Sequence, residues 1–384
     1  MPPNPLDPSS FTHRFVTVPS GRRFHIIDEA PEHWVGKVEE APTVLLLHGF
    51  PDLWYGWRYQ ISYLSSRGYR VLCPTQTGYG ESSRPAAEAY QTCGSGDELD
   101  ASLEAYTYRS VAYDMAGVLD AVGAGKVFVI GHDWGGAVAW RFTEYFPERA
   151  LACISVCTPY FNPSSPSATY EPLSSLTKTK LPNFGYQLFF ASETVPAKFD
   201  KICGRLLAGM FSTEVRESKI KAGKVDKMPV KEGEFEKFVD GLIDKQEKGE
   251  LPELPKDEEF RYYNAVFSKS GFATPTNWYR TRRLNFRDDQ LARFAERGFP
   301  KDIPSLLLPA GEDNALPPSM ALSPAMKKAF KGGNLRIEVI EGADHWLLQD
   351  RRFRDKVSEK LDSFIQEILS GKWQPEPVKG EAKL

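Results

Sequence analysis

The sequence is short of the features that would tie it to a membrane, a metal or an oxidising compartment. No apolar run approaches the ~18–20 residues that a bilayer-crossing helix needs, so no membrane partner is expected. The opening MPPNPLDPSS has neither the basic start nor the apolar stretch of a secretory leader. Five cysteines, Cys73, Cys93, Cys153, Cys157 and Cys203, are odd in number and scattered. Three of them sit in apolar surroundings, which points to reduced core thiols rather than to a disulfide framework. No CxxC or HExxH spacing occurs, so no metal is expected, and no cofactor either. Neither charge predominates: 48 basic residues against 51 acidic ones leave a formal net charge of −3, and the signs are interspersed. Such a balance argues against a nucleic-acid partner. The expectation is an intracellular, cytoplasmic protein.

What is present is an alternation of strand and helix. FTHRFVTV and RRFHIID read as an opening pair of strands, and PTVLLLHG (42–49) as a buried central one. LWYGWRYQISYLSSRG has helical periodicity and stops at Gly68, followed by the strand YRVLCPT. YRSVAYDMAGVLDAVGA predicts an amphipathic helix, KVFVIGHD a strand, GGAVAWRFTEYFPERA a helix and LACISVCTP a further strand. From about 160 to 298 no clear buried strand appears. Aromatic-rich helical stretches mix there with the charged run RESKIKAGKVDKMPVKEGEFEKF, read as a solvated excursion. The alternation resumes with PSLLLPAGED, a helix near 317–330, LRIEVIEGADH and a long C-terminal helix. This pattern predicts an α/β core domain (1–159 and 299–384) with a mostly parallel sheet, and a helical cap inserted at 160–298. The acidic stretch 94–106 reads as a surface loop.

The sharpest local signal is Gly131-His132-Asp133-Trp134-Gly135-Gly136, between an apolar strand and a helix. A G-x-nucleophile-x-G turn needs small flanking residues because the nucleophile stands on a tight strand-to-helix elbow. The helix N-terminus behind it favours an anion. No GxSxG occurs in the chain, and the elbow residue is Asp133. A serine attacking a saturated carbon would leave an ether that water cannot readily cleave. A carboxylate leaves an ester that water can hydrolyse. An Asp elbow therefore points to epoxides or alkyl halides. The plainer reading is a glycine-rich turn whose Asp caps a helix.

Hydrolysis of such an ester needs a base and a group to orient it. His345, in Gly342-Ala343-Asp344-His345-Trp346, follows the last expected strand, and Asp313, in Gly311-Glu312-Asp313, ends the strand before it. Glu312 and Asp344 are rival acids, less favoured because neighbouring side chains on extended backbone point opposite ways. His13, His25 and His33 suit structural roles, as do His48 and His132 beside backbone turns. The loop His48-Gly49-Phe50-Pro51 can aim the Phe50 amide into the site opposite the Trp134 amide, and two such donors form an oxyanion hole. Pro51 stands in a tight turn of the kind that accommodates a cis peptide bond.

Together these residues resemble the epoxide hydrolases of the α/β-hydrolase fold. HGFPD (48–52), GYGESSRP (78–85), GHDWGG (131–136), GED (311–313) and DHW (344–346) match that family's landmarks in order. The resemblance implies an eight-stranded α/β-hydrolase sheet and the chain order nucleophile, acid, histidine. GYQLFF (185–190) and KSGFATPTNWYR (269–280) are similar to the cap segments that carry two substrate-activating tyrosines, here Tyr186 and Tyr279. It implies a hydrophobic epoxide as substrate, opened to a vicinal diol through an ester on Asp133. The alternative enzyme is a haloalkane or haloacid dehalogenase. It is disfavoured because Phe50 offers no polar side chain where haloalkane dehalogenases often place Asn, and because Trp134 stands where fluoroacetate dehalogenases usually carry Arg. A ligand-binding homologue without turnover is the non-enzymatic alternative.

The chain departs from that family at Thr75, where an acidic residue is usual, and in longer segments at 86–106 and 213–250. The terminal Ala382-Lys383-Leu384 is a close variant of the Ser-Lys-Leu peroxisomal address, which adds an import receptor as an expected partner if the source is eukaryotic.

Overall fold

The computed structural model describes residues 2–85, 99–222, 227–330 and 332–375. The expectations placed on Cys93, on the first part of the 86–106 segment and on Ala382-Lys383-Leu384 fall outside these residues. Two compact units emerge. One comprises Met1–Gln76, Tyr108–Ala168 and Asp288–Leu384, the other Thr77–Thr107 and Thr169–Arg287.

The first unit is built on strands β1 (His13–Thr17), β2 (Arg23–Glu29), β3 (Thr43–Leu47), β4 (Arg70–Pro74), β5 (Val127–His132), β6 (Ala150–Val156), β7 (Ser305–Leu308) and β8 (Leu335–Ile337). They form one eight-stranded sheet in the order β1-β2-β4-β3-β5-β6-β7-β8. β2 pairs antiparallel with β1 and β4, and every other neighbouring pair is parallel. β3 and β5 are buried along their whole length, so their runs TVLLL and VFVIGH show no alternation. β3 sits between β4 and β5, with Leu45 paired to Leu72 on one side and to Val129 on the other. The strand order turns back there, and the loops leaving the carboxyl ends of β3 and β5 meet, the Phe50 amide donating to Asp133. That switch point is where open α/β sheets bind ligands.

Three helices matter for the site. α1 (Arg58–Ser66) follows β3 through a short 3-10 turn at Trp54–Trp57, and α2 (Tyr108–Ala121) precedes β5. α3 (Trp134–Tyr145) starts directly at the end of β5, and its residues Gly135 to Glu144 are all buried. A helix hidden on all sides must pair its charges. Arg141 accordingly meets Asp289 at 2.9 Å and Glu144 at 2.8 Å.

Two sequence expectations change in detail. The helix expected near 317–330 is broken into Pro318–Ala321 and Pro324–Ala329. Pro324 disfavours helical backbone at Ser323, whose hydroxyl instead caps the second piece through the Met326 amide. The last strand is three residues long, and beyond it one bridge, Ala310 to Ile340, keeps the two following loops side by side. Cys73, Cys153, Cys157 and Cys203 are buried free thiols. Among the described residues no helix is long and apolar enough to cross a membrane.

The second unit is helical, with no strand among its described residues. Residues 77–107 group here rather than with the sheet. Trp278 Nε1 donates to the Thr77 carbonyl at 3.0 Å, and the Thr274 hydroxyl donates to that of Gly78 at 2.5 Å. Arg287 forks onto Glu104 at 2.6 and 2.9 Å. In the stretch expected to be a surface loop, Leu103, Ala105 and Tyr106 are buried on a 3-10 turn. The charged run also folds: Thr213–Lys221 is a helix with no buried residue, whereas Glu234–Glu247 buries Phe235 and Val239. The apolar centre of this unit is a cluster of rings meeting edge to face. Phe190 lies 5.2 Å from Phe199 and 4.8 Å from Phe235.

Candidate active site

The turn between β5 and α3 holds Asp133 at φ 54°, ψ −125°. A non-glycine residue in this region costs about 1–3 kcal/mol, so the surroundings must enforce it. They do so through close backbone approach. A Cβ on Gly131 would lie 2.0 Å from the Gly135 carbonyl oxygen, and one on Gly135 would lie 2.1 Å from that of Leu47. The Thr158 hydroxyl donates to the Asp133 carbonyl at 2.7 Å and fixes the turn from β6. Gly49 matters for the same reason, since a Cβ there would fall 2.2 Å from Asp133 Oδ1. The bare backbone lets the loop after β3 close over the carboxylate. The Phe50 amide donates to Asp133 Oδ1 at 2.7 Å. The Phe50–Pro51 peptide is cis. Trp134, the next residue in the chain, opens α3.

The other carboxylate oxygen, Oδ2, stands 3.5 Å from His345 Nε2. His345 Nδ1 meets Asp313 Oδ2 at 2.6 Å. Asp313 is held in turn by the amides of Ala315 and Leu316, each donating to Oδ1 at 2.9 Å. The loops after β5, β7 and β8 thus bring Asp133, Asp313 and His345 into one chain of contacts. Of the rival acids, Glu312 is exposed, and Asp344 Oδ1 accepts from the Trp346 amide at 2.8 Å, inside its own turn.

Burial opposes a charge on His345, but Asp313, followed by the bond to Asp133, outweighs it and holds the imidazole well above its ordinary pKa. Burial likewise opposes ionisation of Asp133, yet its contact with His345, aided by the Phe50 amide, pulls it below the usual carboxylate range. Asp313 is held low against burial by the charge and hydrogen bond of His345. The shifts are mutual: both carboxylates favour a proton on His345, and the protonated ring favours both carboxylates.

Several supporting groups carry no sequence signal. His132, read as structural, has its Nε2 2.9 Å from the His345 carbonyl and so pins the loop that carries His345. Burial lowers the His132 pKa to about 3, which keeps that ring neutral. His48 accepts the Gln76 amide at Nε2 (2.9 Å) and is lowered by burial to about 4. Cys157, at φ 68°, directs its thiol to the His345 carbonyl at 3.8 Å, and burial raises it to about 11. His132, Cys157 and His345 lie close enough to suggest metal ligands. Both ring nitrogens of His345 face carboxylates, and the raised thiol stays protonated, so the set does not fit a metal.

Tyr186 and Tyr279 belong to the second unit, both about 6% exposed. Tyr186 lies on the helix Gly185–Phe190 and Tyr279 on the 3-10 turn Pro275–Arg280. Their ring centroids are 6.4 Å apart, with Phe190 about equally close to each, at 5.1 and 5.0 Å. Arg280 ties the two elements together by donating to the carbonyls of Ala191 (3.0 Å) and Ser192 (2.9 Å). Gln187 Nε2 donates to the Tyr186 hydroxyl at 3.3 Å.

Residues 42–351 match the family described as alpha/beta hydrolase fold. The epoxide hydrolase srdG of Neurospora crassa is 31% identical over 96% of this chain and 100% of its own. The pig bifunctional epoxide hydrolase 2 is also 31% identical, over 91% of this chain, which spans 55% of that longer protein. Among solved structures, the epoxide hydrolase VrEH1 of Vigna radiata superposes with a TM-score of 0.67 at 25% identity, covering 94% of this chain and 99% of its own. The fold, the order of the site residues and this similarity along nearly the whole chain agree: the protein is a hydrolase that belongs to the α/β-hydrolase family, among its epoxide hydrolases.

Proposed function

We propose that this protein converts an epoxide and water to a vicinal diol through a covalent ester on Asp133. The observation that carries the reading is the Asp133 carboxylate itself, held low in pKa, with one oxygen on the Phe50 amide at 2.7 Å and the other 3.5 Å from His345. Asp133 attacks a ring carbon, the carbon–oxygen bond breaks, and the new alkoxide takes a proton from Tyr186 or Tyr279. An unprotonated alkoxide is too basic to leave readily, which is why a phenol is needed. Ester formation removes the charge of Asp133. His345 loses one of the two groups that hold its proton, releases it to solvent and becomes a base; it regains a proton from solvent once Asp133 is again a carboxylate.

In the second step His345 takes a proton from water as the oxygen attacks the ester carbonyl. The oxyanion forms where the Phe50 and Trp134 amides can donate to it. Collapse expels the diol oxygen, which takes the proton back from His345. The acid proton left on Asp133 is the one that the phenolate recovers, so epoxide plus water balances to diol. Asp313 keeps the imidazole oriented throughout. A hydrophobic epoxide is the proposed substrate, in keeping with the family and with the phenylalanines around the two tyrosines.

A single turnover of a styrene-type epoxide in ¹⁸O-water tests the mechanism. The label should appear in the Asp133 carboxylate and be absent from the first diol formed. A first diol carrying the full label would mean direct attack by water. Halide release from a haloalkane without diol formation from epoxides would favour the dehalogenase instead.

A further inference from the structure

The helix that carries Tyr186 has six residues, too few to hold its own shape or direction. What holds it is a stretch of the charged run. The Tyr186 amide donates to the Val230 carbonyl at 2.9 Å. Gly185 packs backbone against backbone on the residues that follow. A Cβ there would lie 2.1 Å from the Glu232 nitrogen and 2.6 Å from the Lys231 carbonyl carbon. The Lys231 amide is fixed in turn by Glu234 Oε2 at 3.1 Å, where the next helix begins. That helix presents Phe235, 2% exposed, to Phe190 at 4.8 Å and to Phe189 at 6.3 Å. The Tyr186 helix is thus gripped at its first residue by a loop and along its side by a ring.

We propose that the segment Val230–Phe235 is a positioning element for the Tyr186 phenol, and that Gly185 is the residue whose missing side chain lets it dock. This rests on the reading of Tyr186 as a proton donor. Val230–Phe235 then sets how well the phenol meets the epoxide oxygen in ring opening, and has no part in hydrolysis of the ester. Misplacing a reacting group by about 1 Å can cost ~10²-fold in rate. Tyr279 remains to share the task, so a smaller loss is expected when Gly185 is changed.

The experiment is a double-mutant cycle on the full chain with Gly185→Ala, Tyr186→Phe and the two combined. Rapid mixing at single turnover separates ester formation from ester hydrolysis. Gly185→Ala should slow ester formation about tenfold and leave hydrolysis within about twofold, as expected of a group acting only through proton donation. In the Tyr186→Phe background the same change should have no further effect. Additive effects, or equal slowing of both steps, would overturn the proposal. An unaltered rate in Tyr186→Phe alone would instead remove the proton-donor reading. Should Gly185→Ala fail to fold, Glu234→Gln is the milder perturbation. It should slow ester formation to a lesser degree and speed hydrogen exchange at the Tyr186 amide, and a variant unchanged in both would sink the idea.

Discussion

Replacing His345 by glutamine removes one chemical ability and keeps most of the shape. The imidazole is closely held: its side chain is 18% exposed, Asp313 Oδ2 lies 2.6 Å from Nδ1 and Asp133 Oδ2 lies 3.5 Å from Nε2. A glutamine amide can occupy that space and still donate to Asp133, so the attacking carboxylate stays ionised and ester formation should persist. The amide cannot accept a proton from water. General-base assistance typically contributes ~10²–10⁴-fold, equivalent to roughly 3–5 kcal/mol of barrier, and the loss should fall on ester hydrolysis alone. Turnover should therefore collapse while a stoichiometric adduct builds up. Mass spectrometry of the peptide containing Asp133 should find it heavier by the full mass of the epoxide, because ring opening expels nothing. An alkyl halide would add its mass less hydrogen halide, so the same spectrum distinguishes the two chemistries. An unmodified peptide with substrate bound, or turnover within about tenfold of the parent protein, would refute the two-step reasoning.

Tyr186→Phe and Tyr279→Phe should each slow ester formation, and the double variant should lose most of the ~10²–10⁴-fold that an acid contributes. Stopped-flow rates equal to the parent in the double variant would remove the tyrosines from the mechanism. The protein should also weaken in acid through His25, which burial, aided by the neighbouring His13 and Arg23, lowers to about 4. Because this lies below the ordinary 6.5, the unfolded chain takes up the proton first. Its contribution to stability is full above about pH 6.5 and is lost as the pH falls toward 4. At pH 5 the loss amounts to about 2 kcal/mol. In urea unfolding, His25→Gln should lose less stability than the parent between pH 7.5 and pH 5, and parallel losses would contradict the assignment.

Much of the site was legible because its signals are local. The G-x-D-x-G turn announces its geometry through residues that touch each other. The buried strands announce theirs through unbroken apolar runs such as TVLLL and VFVIGH. Parallel strands joined by helices leave few topologies, so a mostly parallel sheet followed from the alternation, while its count of eight strands came from the family resemblance. The order of Asp133, Asp313 and His345 could be placed at strand ends for the same reason. The choice of Asp313 over Glu312 was open to a parity argument on extended backbone, and the structure puts Asp313 against the imidazole at 2.6 Å.

Strands, elbow and the acidic residue at its tip were thus readable from the chain alone, all products of short-range sterics and hydrophobic period. The tertiary structure decided which distant groups close around them. Nothing in the sequence near Thr158, Cys157 or His132 says that one holds the Asp133 turn and the others face the His345 carbonyl. The charged run read as a solvated excursion, because its composition is polar. Yet the Val230 carbonyl and the backbone at Lys231 and Glu232 seat the Tyr186 helix, and a backbone contact leaves no trace in composition. The described residues of 77–107 group with the helical unit, tied by hydrogen bonds to Thr77, Gly78 and Glu104 from side chains about two hundred residues away. Pairings over such separations have no periodic signature, and only the folded chain, having met the entropy of closing those loops, brings the partners together.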